Sequence, residues 1–216
     1  MIKRLKERHV GFWDKETIKS FLFGAIFLGV SLIVERFADV YVQSLKESPV
    51  NDVLLNILPS FDIDSFIIIS TLIFTFVVAS LFLFRPKYIN FGIKSLALFI
   101  LIRSFFITLT HLGASPHQLV FNPDSFGYDL YNFLYNSNND FFFSGHTGVP
   151  FLMALVFWPI WEWRYLFFVT SFIFGVSVLL GHIHYSIDVF AAPFITYSIF
   201  AISRKIFKAD YKLSRE

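Results

Sequence analysis

Apolar stretches of membrane-crossing length, separated by short polar breaks, set the pattern of this chain. No charged residue falls between Ser65 and Phe84. About 20 apolar residues are needed to cross the hydrocarbon core as a helix. Six stretches reach or approach that length: 18–34, 65–84, 90–110, 146–161, 165–181 and 187–206. The fourth is the least complete, because its length depends on where a helix begins near His146. The pattern predicts an all-α integral membrane protein, a bundle of six transmembrane helices. It reads as one membrane domain over residues 1–216, with a core region at about 85–207 and tails at 1–17 and 208–216.

Two connections carry their own periodicity. Residues 50–58 would place Val50, Val53, Leu54, Ile57 and Leu58 on one helical face, and residues 124–136 do the same with Phe126, Leu130, Phe133 and Leu134. Both are expected to form short helices on the outer membrane surface, either capping the bundle or covering a substrate.

Composition agrees with the pattern. The chain is 56% hydrophobic and only 16% charged, with 31 phenylalanines, which sets it apart from soluble domains. A net charge of +2 gives no reason to expect a nucleic-acid partner, and the lack of cysteine excludes disulfides and thiolate metal sites. The positions of the positive charges say more than their sum. Lys3 to Lys19, Arg85 and Lys87, Arg164, and Arg204 to Arg215 all fall on one side of a six-span bundle. The other side holds Arg36 and Lys46, and the 110–145 connection holds neither lysine nor arginine. The positive-inside rule then puts both termini in the cytoplasm. The basic N-terminal stretch before the first span reads as a retained signal anchor, with Glu35 and Arg36 following that span directly.

Ionisable groups within spans cost about 2.5–3.5 kcal/mol each on insertion scales, so each needs an explanation. Lys94, near the inner end of the third span, is expected to snorkel to the cytoplasmic surface. Arg103 lies deeper, towards the outer end. It could stabilise the bundle through an ion pair, or bind phosphate through its forked donors.

His111, His117, His146, His182 and His184 all cluster at the outer connections. His111 and His117 read as loop residues. His146 opens the fourth span and His184 the sixth, so both lie at outward-facing helix N-termini, whose N–H groups and partial positive charge favour an anion. Asp188 is four residues beyond His184, on the same helical face. A hydrogen bond from one ring nitrogen of His184 to the carboxylate would orient the ring and leave its other nitrogen free to attack. His146 could then supply a proton to a leaving oxygen. A competing reading makes His146, His182, His184 and Asp188 metal ligands, but alternate residues of a helix point to different faces.

"FFFSGHT" and "HYSIDV" resemble the two histidine motifs of the type 2 phosphatidic acid phosphatase superfamily, and more closely its sphingomyelin synthase branch. Asp140 before Ser144–Thr147, and His184 to Val189 further on, follow the order and spacing of that branch. "RSFFITLTHLGASP", from Arg103, is similar to its arginine-containing third-span motif. The likeness covers roughly 85 to 190. It implies a six-helix bundle with an outward-facing site, where His184 is the nucleophile of a phosphohistidine intermediate, Asp188 orients it, and His146 acts as general acid and then base. Arg103, Asp140, Ser144, Gly145, Thr147 and Tyr185 form the candidate phosphate-binding set. Neither a metal nor another cofactor is implied.

Departures from the phosphatase pattern point the same way. Val178 follows Ser177 where phosphatases carry an arginine, and the Arg85–Pro86 pair lies on the cytoplasmic side. Ile183 stands where the synthase branch often has a glutamate, which bears on headgroup choice. The expected function is a lipid phosphotransferase that moves a phosphorylated headgroup from a phospholipid to a lipid alcohol in the bilayer. The alternatives are a phosphatase or phospholipase C-like hydrolase using the same triad, and a non-catalytic membrane protein or lipid transporter. A bacterial inner membrane is the expected location.

Overall fold

The computed structural model describes residues 9–45, 47–135 and 142–216. Its described residues form helices α1 (Lys15–Ser44), α2 (Asp64–Phe84), α3 (Ile89–Thr110), α4 (Tyr128–Tyr135), α5 (Gly145–Val156), α6 (Trp161–Leu180), α7 (Ser186–Ile206) and α8 (Lys208–Arg215). A short 3-10 turn at Pro86–Tyr88 leads into α3. Among the described residues five segments are long and apolar enough to cross a membrane: α1, α2, the Pro86–Thr110 unit, α6 and α7. The chain is therefore a multi-pass integral membrane protein. Rows of exposed apolar side chains on α1, such as Ile26, Ile33 and Phe37, and on α2, such as Ile73 and Phe76, form the belt that faces lipid.

Several expected boundaries move. The first span does not end at residue 34. Helix α1 starts behind Asp14, whose Oδ1 accepts from the Thr17 N–H at 2.7 Å, and it runs on to Ser44. Glu35 and Asp39 remain inside the helix, and Asp39 is buried. The expected helix at 50–58 is only a hydrogen-bonded turn around residues 53–57. Pro49 and Pro59 bracket it, and Asp52 closes it by accepting from the Leu54 and Leu55 N–H groups. The 124–136 segment does contain a helix, α4, which is shorter than expected. It lies along α2: Ser125 Oγ donates to Asp64, and Tyr135 meets Thr75 further down the same helix.

The expected fourth span, 146–161, is helical only from Gly145 to Val156, about 18 Å at 1.5 Å per residue. This helix lies inside the bundle. Leu152, Met153, Ala154 and Val156 are fully buried, with Phe91, Phe99, Phe157, Ala192, Ile199 and Phe200 in the same core. Gly148 sets the distance: a Cβ there would lie 2.7 Å from Phe99 Cζ and 2.9 Å from Thr196 Oγ1. α5 therefore packs directly against α3 and α7, and its sides meet protein rather than lipid.

The two ends of the bundle are chemically distinct. At one end Asn90 Nδ2 donates to the Thr17 carbonyl and His9 Nε2 to the Leu83 carbonyl, while Arg215 reaches the Leu155 carbonyl. The start of α1, the α2–α3 junction and the C-terminal helix thus meet. Lys94 does not snorkel. Its ammonium is buried, 2.6 Å from Asp210 Oδ2 and 2.6 Å from Ser20 Oγ. The segment expected as a C-terminal tail is accordingly a docked helix. At the opposite end gather the 49–61 and 113–119 segments, Ser144 and residues 181–188.

Asp210→Ala would leave the Lys94 ammonium buried and unpaired. A loss of about 3–5 kcal/mol is expected, read as a lower melting temperature in detergent. The Lys94→Met/Asp210→Ala double variant should recover most of it.

Candidate active site

The site begins where α6 ends. Gly181 is the last cap, and His182 follows with φ +51°, in the left-handed region. The Ile183 N–H bonds back to Val178 O at 2.9 Å and the His182 N–H to Leu179 O at 3.0 Å. This pair of bonds is a Schellman closure, with Ile183 and Val178 in one apolar cluster beneath it. The closure turns the chain sharply, so that His184 and Tyr185 lead directly into α7. His182 and His184 thereby part company. His182 Nε2 donates to the Leu58 carbonyl at 3.1 Å and its ring meets His117, whereas His184 faces inward.

Asp188, in the first turn of α7 and wholly buried, lies at the junction. Its Oδ2 accepts from the Tyr185 N–H at 3.0 Å and lies 3.4 Å from His184 Nδ1. At that length the histidine contact is an electrostatic pairing rather than a short hydrogen bond. Asp188 Oδ1 has no hydrogen-bond partner among the described residues, so the carboxylate keeps capacity for an oriented or cationic ring. The Asp188 carbonyl accepts from the Ser144 N–H at 3.0 Å. One residue thus ties the two histidine motifs together through backbone and side chain.

On the other side, Ser144 caps α5, its Oγ accepting from the Thr147 N–H at 3.3 Å. His146, in the first turn of the helix, has its ring centroid 6.2 Å from that of His184, with the planes inclined at 64°. Phe174 and Tyr131 flank it, and the Tyr131 hydroxyl lies 3.2 Å from His146 Nε2. Thr147 is buried against α6, its carbonyl accepting from Ser171 Oγ at 2.7 Å.

Arg103 lies between Glu35 and the start of α5. Its Nε donates to the Phe143 carbonyl at 2.9 Å, and Nη1 lies 3.5 Å from Glu35 Oε1, so a bundle ion pair is present. The guanidinium also flanks the start of α5: a Cβ on Gly145 would lie 3.6 Å from its Nε and 3.7 Å from its Cζ. Among the described residues no group accepts from the Gly145 N–H, so cation and helix N-terminus meet at one spot.

The corresponding end of α7 is not open in this way. Asp188 takes the Tyr185 N–H, and Asp52 Oδ2 takes the Ser186 N–H at 2.7 Å. Two carboxylates thus take the first donors at the anion-favouring end of α7, whereas a serine hydroxyl caps α5. Tyr185 is also turned elsewhere. Its hydroxyl donates to the Gly113 carbonyl at 2.7 Å and accepts from the Val50 N–H at 3.2 Å. Asp140 lies outside the described residues. His111 ends α3 and packs its ring on Tyr41.

A cavity of about 290 Å³ opens at this end, lined by Asn51, Asp52, Ser115, His117, His182 and Tyr185 among others. None of His146, His184 and Asp188 lines it. Among the described residues no three histidine, aspartate or glutamate side chains gather as a metal-ligating group.

Sequence reasoning missed Asp52 and Tyr131. Asp52 carried a signal, since an aspartate immediately ahead of an apolar run is a capping residue. Its partner at Ser186, far along the chain, had none.

Residues 138–205 match a family model described as PAP2 superfamily C-terminal, a span that includes both histidine motifs and Asp188. The chain is significantly similar to no curated protein and to no solved structure. The match supports the PAP2 superfamily, whose members are phosphatases and phosphotransferases acting on phosphorylated lipids.

Burial pushes the Asp52 carboxyl up, but the N–H bonds from Ser186, Leu55 and Leu54 outweigh it and hold its pKa below the ordinary carboxylate value. A group with a depressed folded pKa stabilises the fold above its unfolded pKa, about 3.9 for aspartate, and loses that contribution as pH falls through the folded value. Thermal stability in detergent should therefore decline on acidification below about pH 4. Asp52→Asn should show a smaller decline and a lower plateau at neutral pH.

Proposed function

We propose that this protein is a lipid phosphotransferase of the sphingomyelin synthase-like type, working through a phosphohistidine. The observation that carries this reading is the pairing of two imidazoles across 6.2 Å, one backed by the buried carboxylate of Asp188. Phosphoryl transfer needs a nucleophile on one side of phosphorus and a proton donor for the oxygen leaving on the other.

In the first step a nitrogen of His184 attacks the phospholipid phosphorus. The N–P bond forms as the P–O bond to the lipid alcohol breaks, and His146 gives its proton to the departing oxygen. Asp188 holds the His184 ring and stabilises the positive charge it acquires. In the second step the hydroxyl of a ceramide or diacylglycerol attacks the phosphohistidine. His146 takes the hydroxyl proton, the N–P bond breaks, and both histidines return to their starting states. The Gly145 N–H and the Arg103 guanidinium are placed to receive the non-bridging phosphate oxygens, with Ser144 and Thr147 holding that turn. Asp140 and Tyr185 complete the proposed set, Tyr185 through the backbone and loop bonds it makes. No step requires a cofactor.

The PAP2 match extends equally to hydrolases, so a phosphatase or phospholipase C-like reaction is the alternative. It differs only in water taking the acceptor's place. We further propose that α5, with residues 157–160, completes a sixth crossing. Ser144 lies at the end of the bundle opposite Leu155, which the C-terminal Arg215 reaches. With the basic end in the cytoplasm, the site faces outward, in a bacterial inner membrane.

Purified protein given radiolabelled phospholipid should form an acid-labile, base-stable phosphoenzyme, and His184→Ala should abolish it along with turnover. Normal turnover by that variant would overturn the nucleophile assignment. Adding ceramide or diacylglycerol separates the two second steps: labelled lipid that depends on acceptor supports transfer, and water-soluble product alone supports hydrolysis. Activity should survive exhaustive chelation; its loss would favour a metal-dependent reaction.

A further inference from the structure

The Tyr131 hydroxyl lies 3.2 Å from His146 Nε2, and the two rings stack at 25°. Tyr131 is buried between Phe121 and Tyr135, in the cluster that also holds Val178, Ile183 and Tyr185. Its position is fixed from outside the motif region. Helix α4 is tied to α2 through Ser125 to Asp64 and Tyr135 to Thr75. Gly127, with φ +84°, allows the close approach, since a Cβ there would stand 3.0 Å from Leu72 Cδ1. The other side of this segment exposes Phe126, Leu130, Phe133 and Leu134, continuous with the apolar belt of α2.

We propose that Tyr131 is the positioning residue of His146, carried to the site by a helix whose far side rests in lipid. This rests on the reading of His146 as the acid and base of lipid phosphotransfer. As an imidazolium, His146 has two N–H groups. The geometry assigns Nε2–H to the phenolic oxygen of Tyr131, and in the proposed reaction Nδ1–H is the proton given to the departing alcohol. Once that proton is gone, the Tyr131 bond holds the Nε2–H tautomer, and the bare Nδ1 accepts the proton of the incoming hydroxyl. The phenol itself neither gains nor loses a proton in the cycle.

The test compares leaving groups in purified full-length protein. Vesicles of phosphatidylcholine, phosphatidylethanolamine and phosphatidylglycerol supply an alkoxide leaving group that needs protonation. The p-nitrophenyl esters of the same three phosphorylated headgroups supply one that does not. Tyr131→Phe keeps the ring and removes the hydroxyl. It should slow phosphoenzyme formation from the vesicles about tenfold, the scale of a lost hydrogen bond to a charged group, with KM little changed. The p-nitrophenolate burst should keep its wild-type rate. His146→Ala should show a larger defect with the same dependence on leaving group, and adding Tyr131→Phe to it should cost nothing further. Equal slowing on both substrates would mean that Tyr131 serves only the fold, and a wild-type rate on both would remove it from the mechanism. If His146→Ala is itself as fast as wild type on vesicles, the underlying reading of His146 fails instead.

Discussion

A buried carboxylate next to an imidazole is the constraint around which this structure is arranged. Asp188 has no exposure to solvent, so its charge must be met by groups of the protein itself. It is met by the Tyr185 N–H at the start of α7 and by His184 at 3.4 Å, and its own carbonyl holds Ser144. Removing any one of these contacts would leave the others without a reason for their geometry. The Schellman closure after α6 delivers His184 to this point, and the cap at Ser144 delivers His146. The proposed chemistry asks for little more than that these two helix starts stay in register.

The register is secured by packing away from the site. α5 is the shortest of the apolar helices and the most enclosed, with Gly148 pressed against Phe99 and Thr196 and its middle turns filled by Leu152, Met153 and Val156. A helix in that position cannot shift without disturbing α3 and α7 together, because interiors at crystal-like density transmit displacement. At the far end, the Lys94–Asp210 pair fastens α8 beneath α3. At the near end, Asp52 fastens the 49–61 segment to α7 by taking its first free N–H. The same bond brings a second carboxylate to the start of α7, while the proposed reaction places phosphate at the α5 terminus beside Arg103.

Arg103 shows how one residue can serve stability and proposed chemistry at once. Its pairing with Glu35 explains why a charge is tolerated at that depth, and its contact with the Phe143 carbonyl fixes the fork beside Gly145.

Much of this was legible in the sequence for definite physical reasons. The cost of burying polar backbone in lipid demands long apolar helices, so five of the six expected spans could be read by length, and α2 and α7 begin within a residue of where the pattern put them. The four-residue separation of His184 and Asp188 pointed to their pairing, but His184 stands ahead of the Tyr185 cap and reaches Asp188 from outside the helix rather than along one helical face. Other features were beyond reach, because they depend on contacts between segments distant in the chain. Nothing local in "ERFADVYVQS" says that Glu35 will meet Arg103 and so keep α1 helical past residue 34. Nothing near Lys94 names Asp210, and nothing near His146 names Tyr131. The presence of long apolar helices and the short separation of His184 from Asp188 follow from local pattern and solvation, and the sequence by itself determined them. Which charges pair, which carboxylates meet the start of α7 and which hydroxyl meets His146 depend on packing across the bundle, and only the tertiary structure decided them.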